Sequence, residues 1–271
     1  MHFNRRVIHP TGETQEQKKN RVKELKFRIL SAVNKENADI LCIQEGFTEA
    51  LPGKYSHLKQ VGTYEVKHGL IAGFNSSYLA TYVNKNKYTV FENTHFNAEY
   101  QSIHHKKGVG FPCRTQIFEL TEKETHKRTV LVNFHGVGSP DTSVRRILLE
   151  LLTTYLKKVY PRDDVVLVGD INTNLRRTTG SRDEIDFAKE VREGLFGDFD
   201  IFPRNDRQKS SYHRFIREVD MTFTEKPPAD RYDCLDYCLV KKHMGKEVKV
   251  KRIPGKFVGK EVPYKLNKDL N

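Results

Sequence analysis

Val165-Val166-Leu167-Val168-Gly169-Asp170-Ile171-Asn172 sets four apolar residues in a row, then releases the chain through glycine into Asp-x-Asn. The run does not alternate apolar with polar residues. It therefore reads as a strand buried on both faces, the kind found in a sheet covered by other layers. Asp164 opens it. Just upstream, Val144, Ile147, Leu148, Leu151, Leu152, Tyr155, Leu156 and Val159 recur in steps of three and one, and Pro161 follows. That broad apolar stripe with a closing proline predicts a helix.

Working outward, the same grammar recurs. Ala38-Asp39-Ile40-Leu41-Cys42-Ile43 is a second unalternating run, and it ends in Gln44-Glu45. A helix from about Gln15 to Lys35 leads into it, with Val22, Leu25, Ile29 and Val33 on one face and Lys and Arg on the other. Thr115 to Leu120 and Thr129 to Phe134 read as a hairpin around the charged turn Thr121 to Arg128, and the second strand runs out through Asn133-Phe134-His135-Gly136. Leu79 to Val83 and Tyr88 to Phe91 read as strands joined by an Asn-Lys turn. A weaker helix spans Asp183 to Leu195, and Leu235 to Val240 is a last buried strand. Helices and hairpin-linked strands without strict alternation predict sheet packed on sheet with helices outside, an α/β sandwich.

With 271 residues the chain reads as one sizeable domain, 1–271. Its 37% apolar content is enough for a core, which excludes a chain disordered throughout. Lys and Arg outnumber Asp and Glu by 47 to 35, a net charge of +12, which favours polyanionic partners and above all nucleic acid. No apolar run is long enough to span a bilayer, and the N-terminus with Arg5 and Arg6 carries no visible signal peptide. A cytoplasmic or nuclear setting without stable membrane insertion is expected. So is a monomer, and the sequence points to no protein partner. Four scattered cysteines make no disulfide framework, and Cys42 and Cys238 read as small buried thiols.

Ligand sites in α/β sheets gather where strands end and side chains leave the core. If the three runs above are neighbours and similarly directed, Glu45, His135, Asp170 and Asn172 share one rim. The Leu235 strand carries Asp236 near its start, so an antiparallel placement brings Asp236 to the same rim. These groups suit phosphoester hydrolysis. Glu45 is a hard oxygen ligand of the kind Mg²⁺ takes. Asp170 can accept a proton from an attacking water, Asn172 can orient that water or a phosphate oxygen, and His135 can donate to the phosphate as charge builds. Each group alone is more often a turn former, a cap or a strand-end residue; their order along the chain is what points to a site.

In that order, Asn4, Ile40-Leu41-Cys42-Ile43-Gln44-Glu45, Asn133-Phe134-His135, Gly169-Asp170-Ile171-Asn172 and Leu235-Asp236-Tyr237 resemble the motifs of the endonuclease/exonuclease/phosphatase superfamily, the deoxyribonuclease I-like fold. The resemblance implies a four-layer α/β sandwich of two packed mixed sheets flanked by helices, and metal-dependent phosphoester hydrolysis. It implies Glu45 as the Mg²⁺ ligand, with Mn²⁺ as a substitute and Asn4 beside it. Asp170 and Asn172 would position nucleophile and phosphate, and Asp236 would orient a second histidine. The superfamily pattern ends in Ser-Asp-His, whereas the one histidine after Asp236 here is His243, in Lys242-His243-Met244. The chain reads as clipped at both ends. Alternatively, His213 or His243 fills the role, or catalysis is lost and binding kept.

The substrate expected from the charge is nucleic acid, making the chain a nuclease. Arg176 and Arg177 follow the Asp170 motif and could grip phosphates, although solvated loop positions account for them as well. In Ser210-Ser211-Tyr212-His213-Arg214-Phe215, Tyr212 could stack on a base and His213 touch phosphate, or the aromatics could simply pack a loop. A phosphatase or phospholipase acting on inositol phosphates or lipid head groups is the alternative enzyme. It would want an exposed apolar docking loop, for which Tyr78-Leu79 and Phe91 are the candidates.

Overall fold

The computed structural model describes residues 15–46, 57–66, 77–100, 114–138, 141–178, 180–202, 212–213, 232–233 and 235–244. Helix α1, Gln15–Lys35, buries Ile29, Leu30 and Val33. Asn37 ends it in a left-handed conformation, φ +46°. The Asn37 N–H donates to Asn34 O at 3.2 Å and the Ala38 N–H to Val33 O at 2.9 Å, satisfying the last carbonyls and turning the chain directly into β1, Ile40–Gly46. β1 pairs antiparallel with β3, Ser77–Val83, which pairs antiparallel with β2, Lys59–Val66.

The second sheet has six strands. β4, Tyr88–Asn93, β5, Thr115–Glu122, and β6, Arg128–His135, form an antiparallel meander. Helix α2, Thr142–Val159, carries the chain over to β7, Asp164–Asp170, which lies parallel to β6. Asp141 caps α2 by accepting from the Ser143 N–H at 2.8 Å. Helix α3, Arg182–Glu190, continues into a π-helical turn over Val191–Leu195 and leads to β8, Phe199–Phe202. β11, Asp236–Lys241, inserts antiparallel between β7 and β8, giving the order β4-β5-β6-β7-β11-β8. The two-residue strands β9, Tyr212–His213, and β10, Tyr232–Asp233, pair with each other.

Three apolar clusters define the layers. Ile29, Leu30 and Val33 of α1 pack on Ile43, Ala80 and Tyr82 of the small sheet. Val83 meets Phe118, Leu120 and Leu131 between the sheets, with Ile40, Cys42 and Val168 beside them. Val130, Val132, Phe134, Val165 and Leu167 pack outward against Leu148, Leu149 and Leu152 of α2 and Phe187 of α3. The result is helix, sheet, sheet, helix: the four-layer sandwich expected from the sequence.

Three details depart from the sequence reading. β3 and β4 are joined by the Asn-Lys turn but lie in different sheets. The turn ties back to β1 instead of closing a hairpin: Asn84 Nδ2 donates to Asp39 Oδ1 at 3.0 Å and Lys87 Nζ to Asp39 Oδ2 at 2.8 Å. On α2 the buried face is centred on Arg145, Leu148, Leu149, Leu152 and Leu156, leaving Val144, Ile147 and Leu151 half-buried. Leu79, a candidate for a docking loop, is instead wholly buried in β3, while Phe91 stands exposed on edge strand β4. Among the described residues no helix is long and apolar enough to cross a membrane.

Candidate active site

The carboxyl ends of β6 and β7 and the start of β11 meet in one row. His135 is the register partner of Asp170, and Asp170 is the partner of Asp236. Side chains alternate faces along a strand. Phe134, Leu167 and Tyr237 face the helices, so His135, Asp170 and Asp236 share the opposite face, toward the small sheet. Two inter-strand steps make the row about 10 Å long. His135 and Asp170 are 1% and 0% exposed, whereas Asp236 and Asn172 are half-buried and form the part of the row nearest solvent. His135 Nε2 lies 4.0 Å from Asp170 Oδ2, longer than a hydrogen bond.

The small sheet is pinned to this row by a polar bridge. Asn133, wholly buried, receives Gln44 Nε2 on its Oδ1 at 2.6 Å. Its Nδ2 donates to Thr81 Oγ1 at 3.0 Å and Gln116 Oε1 at 3.2 Å. A buried amide that binds both sheets fixes their relative register, because sliding either would leave polar groups unsatisfied. The bridge sets Gln44-Glu45 above β6. The β1–β3 register shifts between Ile43 and Gly46, so Glu45 lies at a β-bulge, a feature common beside active sites.

Two loops close the rim, and they are cross-linked. The Gly136 N–H donates to Asp170 O at 2.6 Å, and Asn172 Nδ2 donates back to Gly136 O at 2.7 Å. Asn172 is left-handed, φ +53°, and its N–H donates to Asp170 Oδ1 at 2.7 Å. Arg145 of α2 reaches this loop, donating from Nη1 to Asn172 O at 3.1 Å and Thr173 Oγ1 at 3.2 Å. Arg114, at the start of β5, directs Nη1 toward Gly136 O at 3.4 Å. Neither arginine stands out in the sequence motifs. Arg145 does carry a signal, as a charged residue in phase with the buried Leu148, Leu149 and Leu152.

The structure describes only some of the remaining sequence candidates. Asn4 lies outside the described residues, as do the side chains of Glu45, Tyr212 and His213. Arg177 Nη1 lies 3.9 Å from Glu184 Oε2. Arg176 Nη2 donates to Ile201 O at 3.3 Å, and Arg176 lines an open cleft of about 480 Å³ with Arg192 and Lys242 instead of joining the row. Burial pushes the thiols of Cys42 and Cys238 up to about 12 and about 11, which disfavours the thiolate form.

His243 is not a replacement for a catalytic histidine at the row. Its Nε2 lies 2.7 Å from Asp164 Oδ1, at the opposite end of β7. Burial raises the Asp164 carboxyl, but hydrogen bonds from His243 and Lys127 outweigh it and hold the group below the ordinary carboxylate range. A depressed folded value adds stability above the unfolded pKa near 3.9, and that stability is lost as pH falls through the folded value. Asp164→Asn is therefore expected to melt slightly lower than the parent at pH 7, by under about 4 °C for so exposed a cluster. The gap should close below about pH 4 in a series of thermal melts.

The donors along the row are hard oxygens, the carboxylates of Asp170 and Asp236 and the carboxamide of Asn172. Among the described residues no three His, Cys, Asp or Glu side chains form a closed cage. Mg²⁺ asks for less, one or two carboxylates together with water and substrate phosphate, so a rim of this chemistry is compatible with a cation held beside it without a closed cage.

A family model described as the Endonuclease/Exonuclease/phosphatase family matches residues 18–256. Comparison with functionally curated protein sequences finds no match. Among solved structures, a D. rerio TDP2 humanized by 14 mutations superposes with a TM-score of 0.54 at 10% identity, covering 82% of this chain and 77% of that one. An endonuclease/exonuclease/phosphatase from Bacteroides vulgatus gives 0.51 at 16% identity, covering 80% and 78%. The endonuclease domain of TRAS1, a telomere-specific non-LTR retrotransposon, gives 0.50 at 11% identity, with the same coverage. At these identities the likeness is one of fold.

Proposed function

The chain belongs to the endonuclease/exonuclease/phosphatase family, whose members are generally phosphoester hydrolases, and from that premise we propose that it is a divalent-metal-dependent nuclease. The observation that carries this reading is the single row of His135, Asp170 and Asp236 on one face of the large sheet, with Gln44-Glu45 fixed above it. The charge of +12 supports nucleic acid as the phosphodiester presented to that row. Shared fold names no substrate by itself.

In this reading Glu45, with Asn4 beside it, would hold the cation, which would offset negative charge on the phosphate and on the leaving oxygen as that oxygen's bond to phosphorus breaks, before it takes a proton from solvent. Asp170 takes the proton of an attacking water. The Asn172 N–H fixes the carboxylate through Oδ1, so the proton is taken from a set direction. His135 donates to a non-bridging phosphate oxygen, where negative charge gathers as water adds. Its burial makes that donation stronger than it would be in water. Asp236 holds negative charge at the outer end of the row, where a protonated partner or the cation's shell would meet it.

The reading is tested by incubating the protein with supercoiled plasmid and with single-stranded RNA, in Mg²⁺ and in EDTA. Cleavage of either polymer in Mg²⁺ alone supports it. No cleavage, together with phosphate release from inositol polyphosphates, would replace it with the phosphatase alternative. The phospholipase form of that alternative has lost Leu79, which is core.

A further inference from the structure

We propose that Arg145 is a positioning residue for the rim, holding Asn172 in the conformation the reaction uses; this rests on the nuclease reading above. Arg145 lies in the first turn of α2 and is 6% exposed, so a charge has been carried into the helix–sheet layer. Such a charge is tolerated when it is paired and hydrogen-bonded, as Arg145 is through both terminal nitrogens though not through Nε. Its Nη2 pairs with Glu184 of α3, and its guanidinium carbon sits 5.0 Å from the centre of the Phe187 ring. Both partners belong to one helix, so they aim the guanidinium rigidly. The Nη1 group then spans two acceptors on the loop after β7, the Asn172 carbonyl and the Thr173 hydroxyl.

That loop needs holding. Asn172 has a left-handed backbone, which costs a non-glycine residue free energy unless its surroundings enforce it. Its N–H is taken by Asp170 and its carboxamide by Gly136 O, both within the rim itself. The restraint on its carbonyl comes from the helical layer through Arg145. If that restraint is released, ψ of Asn172 is free to change, and the left-handed backbone that presents its N–H to the Asp170 carboxylate is no longer enforced. Lysine cannot substitute. Its ammonium is a point charge on a flexible stem and cannot serve Glu184, Asn172 and Thr173 in one plane.

Arg146 provides a control of like chemistry at a more exposed position, with 37% of its side chain accessible against 6% for Arg145. It is the next residue on α2, pairs with Glu190 of α3 at 2.5 Å and also stands over Phe187, at 5.5 Å. No described hydrogen bond joins it to the rim loop. The test compares Arg145→Lys and Arg146→Lys for kcat and KM on a short oligonucleotide substrate in Mg²⁺, well below the melting temperature of each. In parallel, the Asn172 side-chain amide resonances are followed by NMR, assigned with Asn172→Asp.

Arg145→Lys is expected to lower kcat at least about tenfold with KM within about twofold, the signature of misplaced rather than missing groups. It should also shift the Asn172 amide. Arg146→Lys should do neither. Equal losses in both variants would reduce Arg145 to a helix-packing residue and overturn the proposal, as would an unchanged kcat in Arg145→Lys. Should the parent hydrolyse no phosphodiester, the nuclease reading falls by itself. The resonance then decides alone: an Asn172 shift confined to Arg145→Lys upholds the positioning role, and its absence refutes it.

Discussion

Asp170→Asn is expected to lower kcat for phosphodiester hydrolysis by at least about a hundredfold, with KM little changed, as befits a group that acts on the transition state. Asparagine keeps the shape of the side chain and keeps an oxygen for the Asn172 N–H, which now lies 2.7 Å from Oδ1. What it removes is the negative charge and the ability to take a proton. The substitution therefore separates chemistry from architecture more cleanly than alanine would, since alanine also frees the Asn172 loop. Asp170 is fully buried, so a thermal melt separates any effect on the fold from the effect on chemistry. Steady-state kinetics beside a thermal melt give both readings, and an Asp170→Asn protein within tenfold of the parent would remove Asp170 from the proposed mechanism.

Gly169→Ala is expected to cost more than about 4 kcal/mol, the range reserved for major defects, and to leave little folded protein. Gly169 has φ +147° and is the register partner of Phe134 on the parallel strand β6. A Cβ on it would stand 1.8 Å from Phe134 O and 2.8 Å from Phe134 C. These are backbone atoms in the middle of the sheet, so relief requires separating β6 from β7. Gly180 isolates the other component. It too has a positive φ, +114°, but its nearest neighbour would be the end of the Arg177 side chain at 3.5 Å. Gly180→Ala should therefore cost only the backbone strain, about 1–2 kcal/mol. Urea denaturation of both variants checks the pair. Similar small losses at both positions would mean that β6 and β7 can spread at little cost.

Much of this geometry is legible in the residues. β1, β6 and β7 announce themselves as unalternating apolar runs, and the polar residues that end β6 and β7 fall on one rim because those two strands are parallel neighbours. Asp236 joins them because β11 runs the other way, an inference that needs only its place at the start of a strand. The partition of strands between sheets is not legible. A short Asn-Lys turn looks like a hairpin loop, and only the long-range pull of Asp39 on Asn84 and Lys87 makes it a crossover. β8 is hidden because Phe-Asp-Ile-Phe is only four residues, although Gly197-Asp198 before it and Pro203 after it are turn signals. In β2, the register shift between Gln60 and Gly62 interrupts the pattern that alternation depends on. Arg145 is masked because the apolar stripe of α2 is centred one residue away from the buried face.

The position of β11 has a consequence for how the chain comes off the ribosome. β8 is made before β11, yet β11 is its partner in the large sheet, so β8 cannot dock until the later strand has been synthesised. The meander β4-β5-β6 and the crossover through α2 to β7 can assemble earlier, from contacts closer in sequence. Until β11 arrives, the nascent chain presents β7 as an open edge with an apolar run along it, a template for pairing with the wrong neighbour. Insertion of β11 covers that edge, recruits β8 and delivers Asp236 to the row in one event. Maturation of the site and protection of the sheet from aggregation are thus the same late step of biogenesis.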